Sequence, residues 1–82
     1  MKATIRITLK NGVLDPQGKA VETALGQLGF GGLRDLRQGK LIEVHLDETD
    51  TVKARAQLSD MCEKLLANTV IENYDIDISA EQ

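Results

Sequence analysis

Apolar and charged side chains take turns through the first ten positions. In KATIRITLK, Ala3, Ile5, Ile7 and Leu9 fall on one parity and Lys2, Thr4, Arg6, Thr8 and Lys10 on the other. That period of two predicts a strand with one face buried. Asn11-Gly12 then turns the chain. Asp15-Pro16 offers a capping acceptor followed by the residue best tolerated at a first helical position, which predicts a helix through about Leu28. Val21, Ala24, Leu25 and Leu28 form its expected buried stripe. Gly29 suits the position after the helix, and Gly31-Gly32 leads into LRDLRQ, expected to join LIEVHLD through Gln38-Gly39 as a hairpin. The second strand of that hairpin points Ile42, Val44 and Leu46 inward. In ETDT, Thr49 or Asp50 caps a second helix to about Asn68, with Leu58, Met61, Cys62, Leu65 and Leu66 at helical spacing. Tyr74, Ile76 and Ile78 alternate with Asn73, Asp75 and Asp77 in a last strand before a short polar tail.

The resulting order, βαββαβ, predicts an α+β chain: a ferredoxin-like two-layer sandwich whose antiparallel sheet carries both helices on one face, as a single domain over residues 1–82. Such a fold hosts metabolite sensors, small hydrolases, nucleic-acid binders and assembly subunits, so it decides no function. Composition narrows the field. Ten Lys and Arg stand against 13 Asp and Glu, for a net charge of −3, which lacks the electrostatic footprint of a nucleic-acid binder. No apolar run reaches the roughly 20 residues of a membrane span. Residues 1–10 lack the basic segment and apolar block of a secretory signal, and the one cysteine, Cys62, has no disulfide partner in the chain. A reduced, cytoplasmic protein is expected. A chain this short buries only about 60% of its unfolded surface, and thin cores of this kind are commonly supported by symmetric association.

Candidate chemistry begins with GVLDPQGKA, Gly12 to Ala20, which resembles a phosphate-binding loop. The pattern G-x-x-x-x-G-K-[ST] separates its glycines by four residues and needs a hydroxyl after the lysine. Here five residues intervene and Ala20 replaces the hydroxyl. Asp15 places an anion where phosphate would sit, and Pro16 removes an N–H donor. Both read as a structural cap. Gly18, inside the first turn, costs up to about 1 kcal/mol relative to alanine, for which close approach by another backbone is one reason. His45 is the sole histidine and has no clustered ligands. Cys62 sits on the apolar stripe without anything to lower its pKa. Asp75 and Asp77 share a strand face with Glu43, His45 and Arg6, which reads as a charged surface and not as a catalytic pair. No catalytic, metal or cofactor residue emerges. The uncovered sheet face, with Thr4, Arg6, Thr8, Glu43, His45, Asp75 and Asp77, is instead the candidate surface for self-association.

Three stretches carry a resemblance: GVLDPQGKAVETAL followed by LGF, then QGKLIEVHLD, and above all MCEKLLANTVIENYDIDI. Together they resemble the PurS subunit of phosphoribosylformylglycinamidine (FGAM) synthase over nearly the whole chain. Asp15, Pro16, Gly18, Lys19 and Lys40 occupy matching positions, as do Cys62, Glu63, Lys64, Leu65, Leu66, Asn68, Ile71, Glu72 and Tyr74. Asn11 departs from the proline that often precedes Gly12. The resemblance implies a non-catalytic subunit of purine biosynthesis that bridges an ATP-dependent synthetase, PurL, and a glutaminase, PurQ, and supports ammonia transfer between them. It implies a homodimer, or a tetramer when isolated, that needs no cofactor; ATP and Mg²⁺ are expected only on the synthetase. Lys19, Arg37, Lys40 and Glu72 are the exposed charges expected to face those partners. The alternatives are an ACT-like small-molecule-binding domain, an acylphosphatase-like hydrolase and a structural dimer without larger partners. The hydrolase would need an arginine in its first loop, which KNGVLDPQGK lacks.

Overall fold

A computed structural model describes residues 1–79; residues 80–82, the expected polar tail, lie outside the described residues. The elements are β1 (Lys2–Leu9), α1 (Pro16–Gln27), β2 (Gly39–His45), α2 (Thr51–Met61) and β3 (Glu72–Ser79), with a π-helical turn, Cys62–Leu66, closing α2. The strands form one antiparallel sheet in the order β2-β1-β3. Ile5 stands opposite Ile42 on one side and Ile76 on the other, so the period-two positions of all three strands share a face. Met1 and Leu46 lengthen the β1–β2 ladder by exchanging hydrogen bonds of 2.9 and 2.8 Å.

α2 lies on that face. Leu58, Cys62 and Ala67 are buried against Ala3, Ile5 and Ile7, and Ile42, Val44, Met61, Tyr74, Ile76 and Ile78 pack around them half-buried. Asp50, not Thr49, caps α2, accepting from the backbone N–H of Val52 at 2.9 Å and of Lys53 at 3.5 Å. The helix stops short of the expected Asn68. The N–H of Ala67 bonds to the carbonyl of Cys62, a five-residue step, and Ala67 is already extended. The wider turn shifts the apolar stripe by one residue, which buries Ala67 and turns Leu65, expected inside, outward at 83% exposure.

Two further expectations are corrected. LRDLRQ forms no strand: residues 30–38 have no regular secondary structure, and the antiparallel sheet has three strands where four were expected. Gln38-Gly39 makes no turn, because Gly39 opens β2 opposite Thr8 and is not among the glycines of positive φ. It is required for another reason, since a Cβ there would overlap the carbonyl oxygen of Ile7 on β1. The stripe of α1 is also uncovered. Of its 12 residues only Gly18 is buried, and Leu28 stays 74% exposed. Its ends follow the sequence signals all the same. Pro16 occupies the first turn, Gly29 takes φ of 100°, and the N–H of Phe30 bonds back to Leu25 O at 3.1 Å.

Candidate functional site

The loop that resembled a phosphate cradle is filled by its own carboxylate. Asp15 Oδ1 accepts from the backbone N–H of Gly18 at 2.9 Å, and Oδ2 accepts from the N–H of Gln38 at 2.8 Å. One side chain therefore caps α1 and ties the chain leaving that helix to the chain entering it. The hydrogen bond from Gln38, then that from Gly18, holds the Asp15 carboxyl below its ordinary pKa, with the Arg37 charge adding to them against a smaller cost of desolvation. Gly18 is explained here. A Cβ would overlap Asp15 Oδ2 and come within 2.9 Å of Leu36 O, so the close backbone approach is that of the segment before β2.

Arg37 completes the junction. Its guanidinium donates to Asn11 Oδ1 at 3.0 Å, to Lys10 O at 3.1 Å and to Leu9 O. An arginine expected at a partner surface is thus engaged within its own chain, and Asn11 supplies one of its acceptors. Lys40 and Glu72 meet across an open cleft of about 420 Å³ at this end of the sheet, 3.7 Å apart. Glu72 also accepts from the N–H of Asn68 at 2.7 Å. Lys19 pairs with Glu22 at 3.6 Å on the exposed side of α1. All four expected partner-facing charges lie around the start of α1, but Glu72, expected to be exposed, is largely covered: its side chain is 14% exposed, against 73% for Lys19 and 59% for Lys40.

The opposite face of the sheet assembles as the strand parity requires. Thr4 stands between Glu43 and Asp77, and Arg6 between Leu41 and Asp75. Arg6 reaches Asp75 at 3.7 Å and Lys2 reaches Glu43 at 3.4 Å. Such exposed pairs each contribute about 0–1 kcal/mol, so this surface is polar and internally balanced. Leu41, 61% exposed in its midst, was not singled out by sequence, although its parity with Glu43 and His45 places it there.

At the C-terminal end of α2 the Tyr74 hydroxyl donates to Glu63 Oε2 at 2.7 Å and lies 3.2 Å from Ser59 Oγ. The Ser59 bond favours the phenolate, but the Glu63 bond, desolvation and the Glu63 charge outweigh it and push the phenol up. Burial, helped by Glu63, likewise pushes the Cys62 thiol up, the reverse of what a nucleophile needs. Among the described residues no group of three His, Cys, Asp or Glu side chains converges as a metal site.

Sequence reasoning missed the main apolar feature. α2 covers the β1 and β3 side of the sheet but leaves a groove of about 650 Å³ lined by Leu46, Gln57, Asp60, Met61, Leu65 and Leu66. The signal was indirect: Leu65 and the stripe of α1 are apolar in sequence and uncovered in the fold.

The family model described as PurS: Phosphoribosylformylglycinamidine (FGAM) synthase matches residues 2–80. This chain belongs to the PurS family. It is 51% identical over 76 residues to the PurS subunit of FGAM synthase from Synechocystis sp., covering 93% of this chain and 76% of that one. The crystal structure of PurS from Methanocaldococcus jannaschii superposes with a TM-score of 0.89 at 38% identity, covering 99% of this chain and 98% of that one. A chain in the Thermotoga maritima structure described as PurLQS superposes at 0.85 with 31% identity, over 93% of each chain. The PurS family thus shares the arrangement described above, including its α+β class, antiparallel sheet and two helices.

Proposed function

We propose that this chain is the non-catalytic small subunit of FGAM synthase in purine biosynthesis, acting in the cytoplasm as a homodimer that docks the PurL synthetase and the PurQ glutaminase together. The observation that carries this reading is the likeness along nearly the full chain to the Thermotoga maritima protein, found in a structure described as PurLQS. The geometry supports it. The one loop that resembled a nucleotide site is occupied by Asp15, and the one thiol is buried with its pKa raised. On this reading ATP and Mg²⁺ belong to the synthetase, and this chain requires no cofactor. No helix among the described residues is long and apolar enough to cross a membrane.

A bridging role has a specific kinetic signature. Ammonia supplied as a salt reaches the synthetase from solution, whereas ammonia released from glutamine must travel between two active sites. Titrating this chain into PurL and PurQ should raise glutamine-dependent synthesis and leave ammonium-dependent synthesis nearly unchanged. Equal stimulation of both, or none with glutamine, would refute the role. The purified chain alone should turn over neither substrate.

A further inference from the structure

β3 is an outer strand of the sheet, paired with β1 on one side and with nothing among the described residues on the other. The phase of the ladder decides which of its backbone groups are free. In an antiparallel pair, alternate residues exchange both their N–H and C=O bonds with the neighbouring strand, and the residues between them point these groups away from it. The N–H of Lys10 bonds to Ile71 O at 2.8 Å. With Thr8 opposite Asn73, Arg6 opposite Asp75 and Thr4 opposite Asp77, it is therefore Asn73, Asp75 and Asp77 that bond to β1. Tyr74, Ile76 and Ile78 turn their N–H and C=O groups outward. The Arg55 guanidinium, donating to Ile76 O at 3.2 Å, lies on that outer edge and covers one of its acceptors.

Edges of this kind are normally blunted by a proline, a bulge, a lysine or a very short strand. β3 has none of these: it runs for 8 residues, ENYDIDIS, in unbroken register with β1. Beside it a cleft of about 540 Å³ opens against α2, lined by Thr51, Val52, Arg55, Ala56, Ser59 and Ile78. Val52 stands 77% exposed there. Side chains on the parity of Tyr74, Ile76 and Ile78 share the face on which α2 lies, so an added strand would send every second side chain toward this cleft.

Charge on the opposite face defines the added strand further. Across the sheet the polar positions run acidic, basic, acidic: Glu43 on β2, Lys2 and Arg6 on β1, Asp75 and Asp77 on β3, with Lys2 paired to Glu43 and Arg6 to Asp75. Asp77 joins no ion pair among the described residues. A strand outside β3 would continue the alternation with basic residues. A second copy of β3 is a poor occupant, because antiparallel pairing of the two edges sets its aspartates against Asp75 and Asp77.

We infer that the outer edge of β3 docks an extended segment of another protein, whose residues alternate apolar with lysine, arginine or hydroxyl side chains and which joins the sheet as its next strand. Its apolar residues enter the cleft against Val52, Ala56 and Ile78, and its basic residues face Asp75 and Asp77. Its backbone bonds to Tyr74, Ile76 and Ile78 and displaces Arg55 from Ile76 O. This inference rests on the docking role proposed above, the segment belonging to one of the two enzymes that this chain brings together.

Amide hydrogen exchange, read residue by residue by fragmentation mass spectrometry, tests it. The chain alone is compared with the chain mixed with PurL and PurQ in the presence of glutamine, ATP and Mg²⁺, and gel filtration reports whether a complex forms. The N–H groups of Tyr74, Ile76 and Ile78 should exchange fast in the chain alone and at least about tenfold more slowly in the complex, whereas those of Asn73, Asp75 and Asp77, already bonded to β1, change little. A complex in which the three outward amides stay fast would overturn the docking edge and leave the assembly role standing. Absence of any complex would overturn both. Slow exchange of the same three amides in the chain alone would assign the edge to a second copy, and would also overturn the inference. Asp77→Lys, at an exposed position, gives a second reading: with the circular dichroism spectrum retained, the dissociation constant for the two enzymes should rise at least about fivefold, and an unchanged constant would count against a basic segment.

Discussion

Replacing a helical glycine by alanine ordinarily stabilises, because alanine restricts the unfolded chain, by about 0.4–1 kcal/mol. α1 contains two such glycines in opposite surroundings. Around Gly26 nothing lies within 4 Å of where a Cβ would stand, so Gly26→Ala should gain that ordinary increment. At Gly18 the added carbon would lie 2.9 Å from Leu36 O and from Asp15 Cγ, and closer still to Oδ2. Neither neighbour yields without loss: Leu36 O is backbone, and Asp15 is fixed by its bonds to Gly18 and Gln38. Overpacking of this kind costs about 1–3 kcal/mol, which exceeds the propensity gain, so Gly18→Ala should destabilise. The difference between the two variants removes the shared propensity contribution and isolates the steric one, at about 1–3 kcal/mol. Urea unfolding at one fixed protein concentration measures it, with the slope checked for constancy so that midpoints report stability alone. If Gly18→Ala proved as stable as Gly26→Ala, the close approach of the 36–38 segment to α1 would be wrong, and with it the account of why a glycine stands in that first turn.

The Asp15 carboxyl is held below its ordinary value by Gln38, Gly18 and Arg37, so its contribution to stability is fully present above the unfolded pKa of about 3.9 and is lost as pH falls through the folded one. The unfolding midpoints of wild type and Asp15→Asn should therefore differ at neutral pH and converge in acid; a constant gap would refute the capping role. Leu58→Ala, at a fully buried position against β1, should cost about 2–5 kcal/mol of the roughly 4–12 kcal/mol that a chain of this size holds, which thermal melting would register as a large fall in midpoint. Cys62, buried and with its pKa raised by that burial and by Glu63, should react with a thiol reagent only slowly in native buffer at pH 8 and rapidly in urea; equal rates would place it at the surface.

Local features of this chain were readable from sequence because local forces decide them. The alternation in KATIRITLK, the Asp-Pro start of α1, its Gly29 end and the alternation before Ser79 each need only neighbouring residues, and each appears where the pattern puts it. The carboxylate of Asp15 could be recognised as a cap for the same reason, while its second partner, Gln38, lies 23 residues away and is set by the fold. Glycine misled at Gly39: its need comes from the oxygen of Ile7 on another strand, which in sequence looks the same as a need for a turn. In LRDLRQ the leucines stand three apart and do not alternate, and what fixes the end of that segment is Arg37 on the carbonyls of Leu9 and Lys10. The wide turn at Cys62–Leu66 uses residues equally at home in an α-helix, and only its packing against β1 selects which of Leu65 and Ala67 is buried. Sequence thus determined which face of each element is apolar. What covers each face was decided by tertiary structure, because apolar burial is non-directional: α2 is laid on the sheet while the equally apolar stripe of α1 is left uncovered.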